Sequence, residues 1–189
     1  MEKLKSTLEF GGILSPKDIE YFSSQFRRKV LMATEHFHKE GQIANEIAFV
    51  EKGILRLYSA TADGTDVTKY FVREKQFITD LESYYTATPG SEAIQAVMDT
   101  EIYTLHKTVV EKLSSEIPNL YIFIKTITEA ALMTKIKDND FLNFGDSKTK
   151  YLEFVKRNPD LALRVPQQYI ASYLKITPQS LSRIRREIR

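Results

Sequence analysis

A chain of 189 residues, 42% of them hydrophobic, with 11 Phe and 10 Tyr but no Trp, can bury a real core and excludes disorder or a fibre. With no Cys it excludes disulfides, thiolate iron–sulfur clusters and a Cys nucleophile, and no apolar run approaches the roughly 18 residues that a bilayer span needs. The net charge of +2 is unevenly spread: residues 164–189 set six cations against Glu187 alone, a local +5, leaving the rest at −3.

The segment Met1–Phe10 mixes charges of both signs and has no signal-peptide apolar core, so a cytoplasmic protein without membrane contact is expected. Ser15-Pro16-Lys17-Asp18 reads as a helix start, with Ser15 as cap and Pro16 in the first turn. Ile19, Phe22 and Phe26 then share one face. From about Arg28 to His106 the texture is short β-type runs. Glu46–Glu51 and Ile54–Ser59 flank Lys52-Gly53 as a compact hairpin; Ala62-Asp63-Gly64 turns into Thr65–Val72; Ala93–Met98 and Glu101–His106 add two strands. Such spacing predicts a sandwich or barrel of jelly-roll type.

Pro118 opens a helix to about Asp140 whose apolar face (Leu120, Phe123, Ile124, Ile127, Ala130, Ala131, Met133) is wide enough to lie half on the β domain and half on a second copy. Asn143–Asp146 reads as a hinge with Gly145 as breaker. A helix follows from about Ser147 with Tyr151, Leu152 and Val155, and stops at Asn158-Pro159.

Residues 166–186 carry the strongest pattern. Ile170, Leu174, Ile176, Leu181 and Ile184 are spaced to close a small core around a bend, and Ala171 is the small residue where two helices touch. Thr177 can cap the second helix with Pro178 in its first turn. Lys175 occupies the bend, where Gly is usual because the chain there often needs positive φ. Gln179, Ser180, Ser182, Arg183 and Arg186 then face outward, as a helix-turn-helix reader of DNA requires. Arg183 suits a bidentate contact to guanine and Gln179 an adenine edge, while Thr177 and Ser180 suit phosphates.

The tract Ile170–Arg185 resembles the DNA-binding end of Crp/Fnr-type regulators, and Glu40-Gly41-Gln42, Ile47–Gly53 and Leu55–Tyr58 resemble the first strands of a cyclic-nucleotide-binding-like β-roll. The resemblance implies an α+β fold: a jelly-roll (double-stranded β-helix) sensor over 1–117, a dimerisation helix over 118–142 and a helix-turn-helix domain over 143–189. It also implies a homodimer through helix 118–140 on near-palindromic double-stranded DNA, with RNA polymerase as a further partner. The family's base-contacting positions fall on Gln179, Ser182 and Arg183, and its phosphate-contacting positions on Gln167, Thr177 and Ser180. The chain ends where family members often continue into a β-wing, so a truncated winged helix is expected, with anchoring resting on Arg185, Arg186 and Arg189.

One part of the family pattern fails. Members that bind cyclic AMP resemble one another in a Gly-Glu-Leu turn followed by Arg-Ser/Thr-Ala; here Thr79, Asp80 and Leu81, then Ser91, Glu92 and Ala93, occupy those positions. A cyclic phosphate needs cationic or N–H partners, so cyclic nucleotides are not expected to bind tightly; no cofactor is expected and the effector is open. Two other classes stand beside this reading. A cupin-like metal enzyme would use His36 and His38, with Glu40, Glu46 or His106 as further ligands at poorly fitting spacings. A protein-interaction module would keep the fold without reading DNA.

Overall fold

The computed structural model describes residues 1–143 and 145–188, and of 138–140 the backbone alone; Phe144 of the expected hinge and the terminal Arg189 lie outside the described residues. Two helices come first, α1 (Glu2–Leu8) and α2 (Pro16–Ser24). The cap of α2 forms as expected, Ser15 accepting the Asp18 N–H. Helix α1 escaped the sequence reading. Seven residues do not hold a helix in water; this one is held by burying Leu4 and Leu8 and by the Glu51 carboxylate, which accepts the N–H groups of Lys3 and Leu4.

The strands follow: β1 (Arg27–Leu31), β2 (His36–His38), β3 (Glu46–Lys52), β4 (Ile54–Ala60), β5 (Asp66–Arg73), β6 (Phe77–Ile78) and, after helix α3 (Leu81–Thr86), β7 (Ala93–Ala96) and β8 (Thr100–His106). They form two antiparallel sheets, β1-β8-β3-β6 and β2-β7-β4-β5. Leu31, Val50, Leu55, Leu57, Val72, Ile94 and Ile102 fill the space between them, as a jelly roll requires. The expected hairpin around Lys52-Gly53 does not form: β3 pairs with β8 and β6, whereas β4 pairs with β5 and β7. Gly53, at φ 105°, instead carries the chain from one sheet to the other. A Cβ there would stand 2.8 Å from the Thr100 Cα, so the corner tolerates only glycine.

Helix α4 (Lys107–Glu116) leads to α5 (Leu120–Asp140). Leu120 and Phe123, with the half-buried Ile124 and Ile127, pack against Leu4, Leu8, Phe22, Phe26, Phe49 and Leu113. From Thr128 to Lys137 every residue of α5 is exposed. After a 3₁₀ turn (Phe141–Asn143) come α6 (Ser147–Arg157), α7 (Pro159–Arg164), α8 (Gln167–Leu174) and α9 (Pro178–Glu187). Leu152 is 46% exposed, whereas Phe154, which the sequence reading did not name, is fully buried. The inward face of α6 therefore runs through Tyr151 and Phe154, one helical turn apart. Their cluster includes Leu161, Ile170, Tyr173, Leu174, Leu181 and Ile184, and also Ile54 and Val97 of the roll. Among the described residues no helix is long and apolar enough to cross a membrane.

Candidate nucleic-acid interface and ligand pocket

Helices α8 and α9 close on the small core that their spacing implies, with Ile170, Ala171, Leu174 and Leu181 fully buried and Ile184 nearly so. Lys175 ends α8 at φ 56°, the left-handed conformation that the bend calls for, adopted here by a residue with a side chain. The Ile176 N–H returns to the Ala171 carbonyl to seal the turn. Thr177 caps α9 by accepting the Ser180 N–H at 3.1 Å, and its own hydroxyl donates to the Ser180 oxygen at 2.9 Å.

With Leu181 and Ile184 turned inward, Gln179, Ser182, Arg183 and Arg186 are exposed on α9, Ser180 and Arg185 are half-buried beside them, and Gln167 and Thr177 are exposed at the helix starts. Of the residues singled out for DNA, all that are described thus lie on α9, its cap or the first turn of α8, and Arg189 lies outside the described residues. Lys148, at the start of α6, stands 3.6 Å from Glu187 and adds a cation that the sequence reading missed. Arg164 departs from expectation. Counted among the cations of the basic end, it forks instead onto Glu74 of the roll at 2.7 and 3.1 Å. Burial alone would raise the Glu74 carboxyl, but the Arg164 fork and the Gly53 N–H outweigh it and hold it at about 2.

The pocket residues gather around α3. Thr79 donates its hydroxyl to the Glu46 carbonyl, and Asp80, 1% exposed, caps α3 through the Ser83 N–H. Asp80 lies tight against Gly90, where a Cβ would fall 2.0 Å from its Oδ2. Leu81 and Ser91 are exposed, Ala93 is buried, and Glu92 pairs with Lys69. Two carboxylates therefore stand at the corner where the family pattern puts Glu and Arg-Ser/Thr. Tyr70 lies beside them: burial raises its phenol, and Glu92 and Asp80 raise it further. Lys135 of α5 covers the Tyr70 ring at 4.2 Å, a contact with no signature in the sequence.

His38 Nε2 and Asp80 Oδ2 lie 3.7 Å apart, both buried and with no hydrogen-bond partner. Burial depresses the imidazole against the opposing pull of Asp80 and Glu92. His36 turns elsewhere, with Nε2 at 2.9 Å from the Tyr58 hydroxyl, and the β2–β7 ladder slips between the two histidines. Among the described residues no group of three His, Asp or Glu is placed to hold a metal. An open cavity of about 510 Å³ borders this region, lined by Phe37, His38, Gln42, Glu46, Thr79 and His106 among others.

Residues 28–116 match the family model of the cyclic nucleotide-binding domain. No curated protein matches the chain. Among solved structures, FixK2 from Bradyrhizobium japonicum is 18% identical, with 86% of this chain and 84% of that one covered at a TM-score of 0.71. The c-di-GMP-responsive global regulator CLP of Xanthomonas campestris is 14% identical, with coverage of 92% and 91% and a TM-score of 0.72. A Crp/Fnr-family putative transcriptional regulator from Eubacterium rectale is 12% identical, covering 97% and 87%, also at 0.72. Residues 28–116 are thus similar to a cyclic nucleotide-binding domain, and the chain as a whole has the fold of the Crp/Fnr-type regulators.

Proposed function

We propose that this chain is a DNA-binding transcription regulator that reads near-palindromic sites as a homodimer joined along α5. One observation carries the reading: a capped recognition helix whose outward face is polar and basic from Gln179 to Arg186, on a closed two-helix core. In this reading Gln179, Ser182 and Arg183 meet base edges, and Gln167, Thr177, Ser180, Arg185 and Arg186 meet phosphates. Residues 1–117 would act as the sensor, 118–142 as the dimer helix and 143–189 as the reader, with RNA polymerase as the further partner. The exposed stretch Thr128–Lys137, which includes Leu132, Met133 and Ile136, supports a second copy packed there.

Binding to genomic fragments at two salt concentrations tests the reading. A reader prefers particular sites and loses affinity steeply with salt. On a selected site, Arg183→Ala is expected to cost about 1–3 kcal/mol and to relax preference at one base pair. Equal weakening on every sequence would make Arg183 a phosphate clamp instead.

The signal is not a cyclic nucleotide in this reading. A cyclic phosphate brought to the α3 corner would meet Asp80 and Glu92, and Lys69 beside them already serves Glu92. Calorimetric titration with cyclic AMP and cyclic GMP is expected to give no binding in the micromolar range; a micromolar dissociation constant overturns this part.

A further inference from the structure

Strand β4 alternates as a sheet strand must, yet both its faces are covered. Leu55 and Leu57 point into the roll, while Ile54, Arg56 and Tyr58 point outward, toward α8. Arg56 is 2% exposed. A guanidinium withdrawn from water is costly unless its donors are matched. Here Nε donates to Gln95 at 2.9 Å, Nη1 to Thr68 at 3.3 Å and Nη2 to Asp66 at 2.5 Å. Its Cζ lies over two rings, Tyr58 at 4.1 Å and Tyr169 at 4.0 Å from the centroids. Every one of these partners belongs to the roll except Tyr169, which is on α8.

Next to these rings, Ser172 of α8 accepts the Thr68 N–H at 2.9 Å and donates to the Asp66 carbonyl at 2.8 Å. Strand β5 is a sheet edge, so these backbone groups have no strand partner on that side. A hydroxyl that bridges two groups of one strand fixes where α8 lies along it; a ring packed against the guanidinium fixes its tilt. Two outer ties, Arg73 to Asp160 and Asn158, and Arg164 to Glu74, hold the preceding helix. Since α9 shares a core and a sealed bend with α8, whatever orients α8 orients the recognition helix.

We infer that Arg56 is a positioning residue for DNA reading: through Tyr169 it locks the reader onto the outer face of β4 and β5, so that a dimer accepts one half-site spacing. This rests on the DNA-reading proposal above. Without such a latch the two readers would swivel against the roll and tolerate several spacings. With the latch closed, the roll and α5 dictate the separation.

The test uses the full-length protein with Arg56→Met, Arg56→Lys and, independently, Tyr169→Ala, which leaves the roll untouched if the arginine variants fail to fold. Affinities are measured on the selected palindrome and on versions with one base pair added to or removed from the spacer. Hydrogen exchange is followed at the Thr68 amide. One extra base pair turns a half-site by roughly 35°, so the wild type is expected to lose about tenfold or more in affinity. The variants should flatten that ratio to about threefold or less, and speed Thr68 exchange while leaving the Ile94 amide protected. Lysine should not rescue, because a point charge does not stack as a planar fork does. If the variants weaken all spacings equally, Arg56 is a stabilising residue only and the inference falls. If the wild type binds no DNA, the DNA reading has failed, and Thr68 exchange still decides whether Arg56 holds the reader.

Discussion

Replacing both Leu132 and Ile136 by Glu is expected to give a monomer in sedimentation and to cut affinity for a palindromic fragment by about 10²–10⁴-fold, the loss of a linked second site. The two side chains lie one turn apart on α5 and are 55% and 53% exposed, with Met133 beside them at 55%. Covering the exposed half of each by a second copy would contribute about 1 kcal/mol. Glutamates would place four carboxylates on the same seam, and burying them unpaired is prohibitive. The half of α5 that holds the roll, with Leu120 and Phe123 buried, is untouched, so circular dichroism should stay native. Affinity for an isolated half-site should change little. If the double variant remains a dimer, the copies meet on another face, and the palindrome argument loses its geometry.

The helix-turn-helix was legible because every local choice agrees. The apolar spacing of Ile170, Leu174, Leu181 and Ile184, the small Ala171 and the Thr177-Pro178 cap each specify the same bend, and Lys175 accepts a left-handed φ rather than move it. Strands β3, β4, β5, β7 and β8 were legible too, since alternation and turn residues are local, whereas the short β1, β2 and β6 offered too few residues to show a pattern. The pairing of the strands was not. Gly53 between two β runs reads as a hairpin, but what decides is whether the chain closes back or crosses to the other sheet, and that depends on β8 and β7, more than 30 residues away.

The same distance hid the site's other contacts. Tyr70 under Lys135, Arg164 on Glu74 and Arg56 under Tyr169 join residues between 65 and 113 positions apart, and none has a motif. One hint was present. Ile54-Leu-Arg-Leu-Tyr58 is nearly continuous rather than alternating, the pattern of a strand covered on both faces, with the arginine disguising it as half-exposed.

That two-sided burial sets the last expectation. Phe154 is fully buried against the Tyr173 ring, 5.8 Å between centroids, and Tyr173 in turn meets Phe71 of β5 at 5.5 Å. The cluster passes without a break from α6 through α8 to Ile54 and Val97. Phe154→Ala removes a ring from this shared core and is expected to cost about 3–5 kcal/mol, lowering the melting temperature by roughly 6–20 °C. Because the apolar contact crosses from reader to roll, the loss should appear as one shifted transition, with the tyrosine signal and helical circular dichroism falling together. Arg183→Ala, on the exposed face of α9, should leave that transition where it is while changing DNA binding. A Phe154→Ala protein that melts in two steps, helices first and roll later, would mean that the contacts within each part outweigh those between them. In that case the polar ties at Arg56, Ser172 and Glu74, rather than the apolar cluster, would be what seats the reader on the roll.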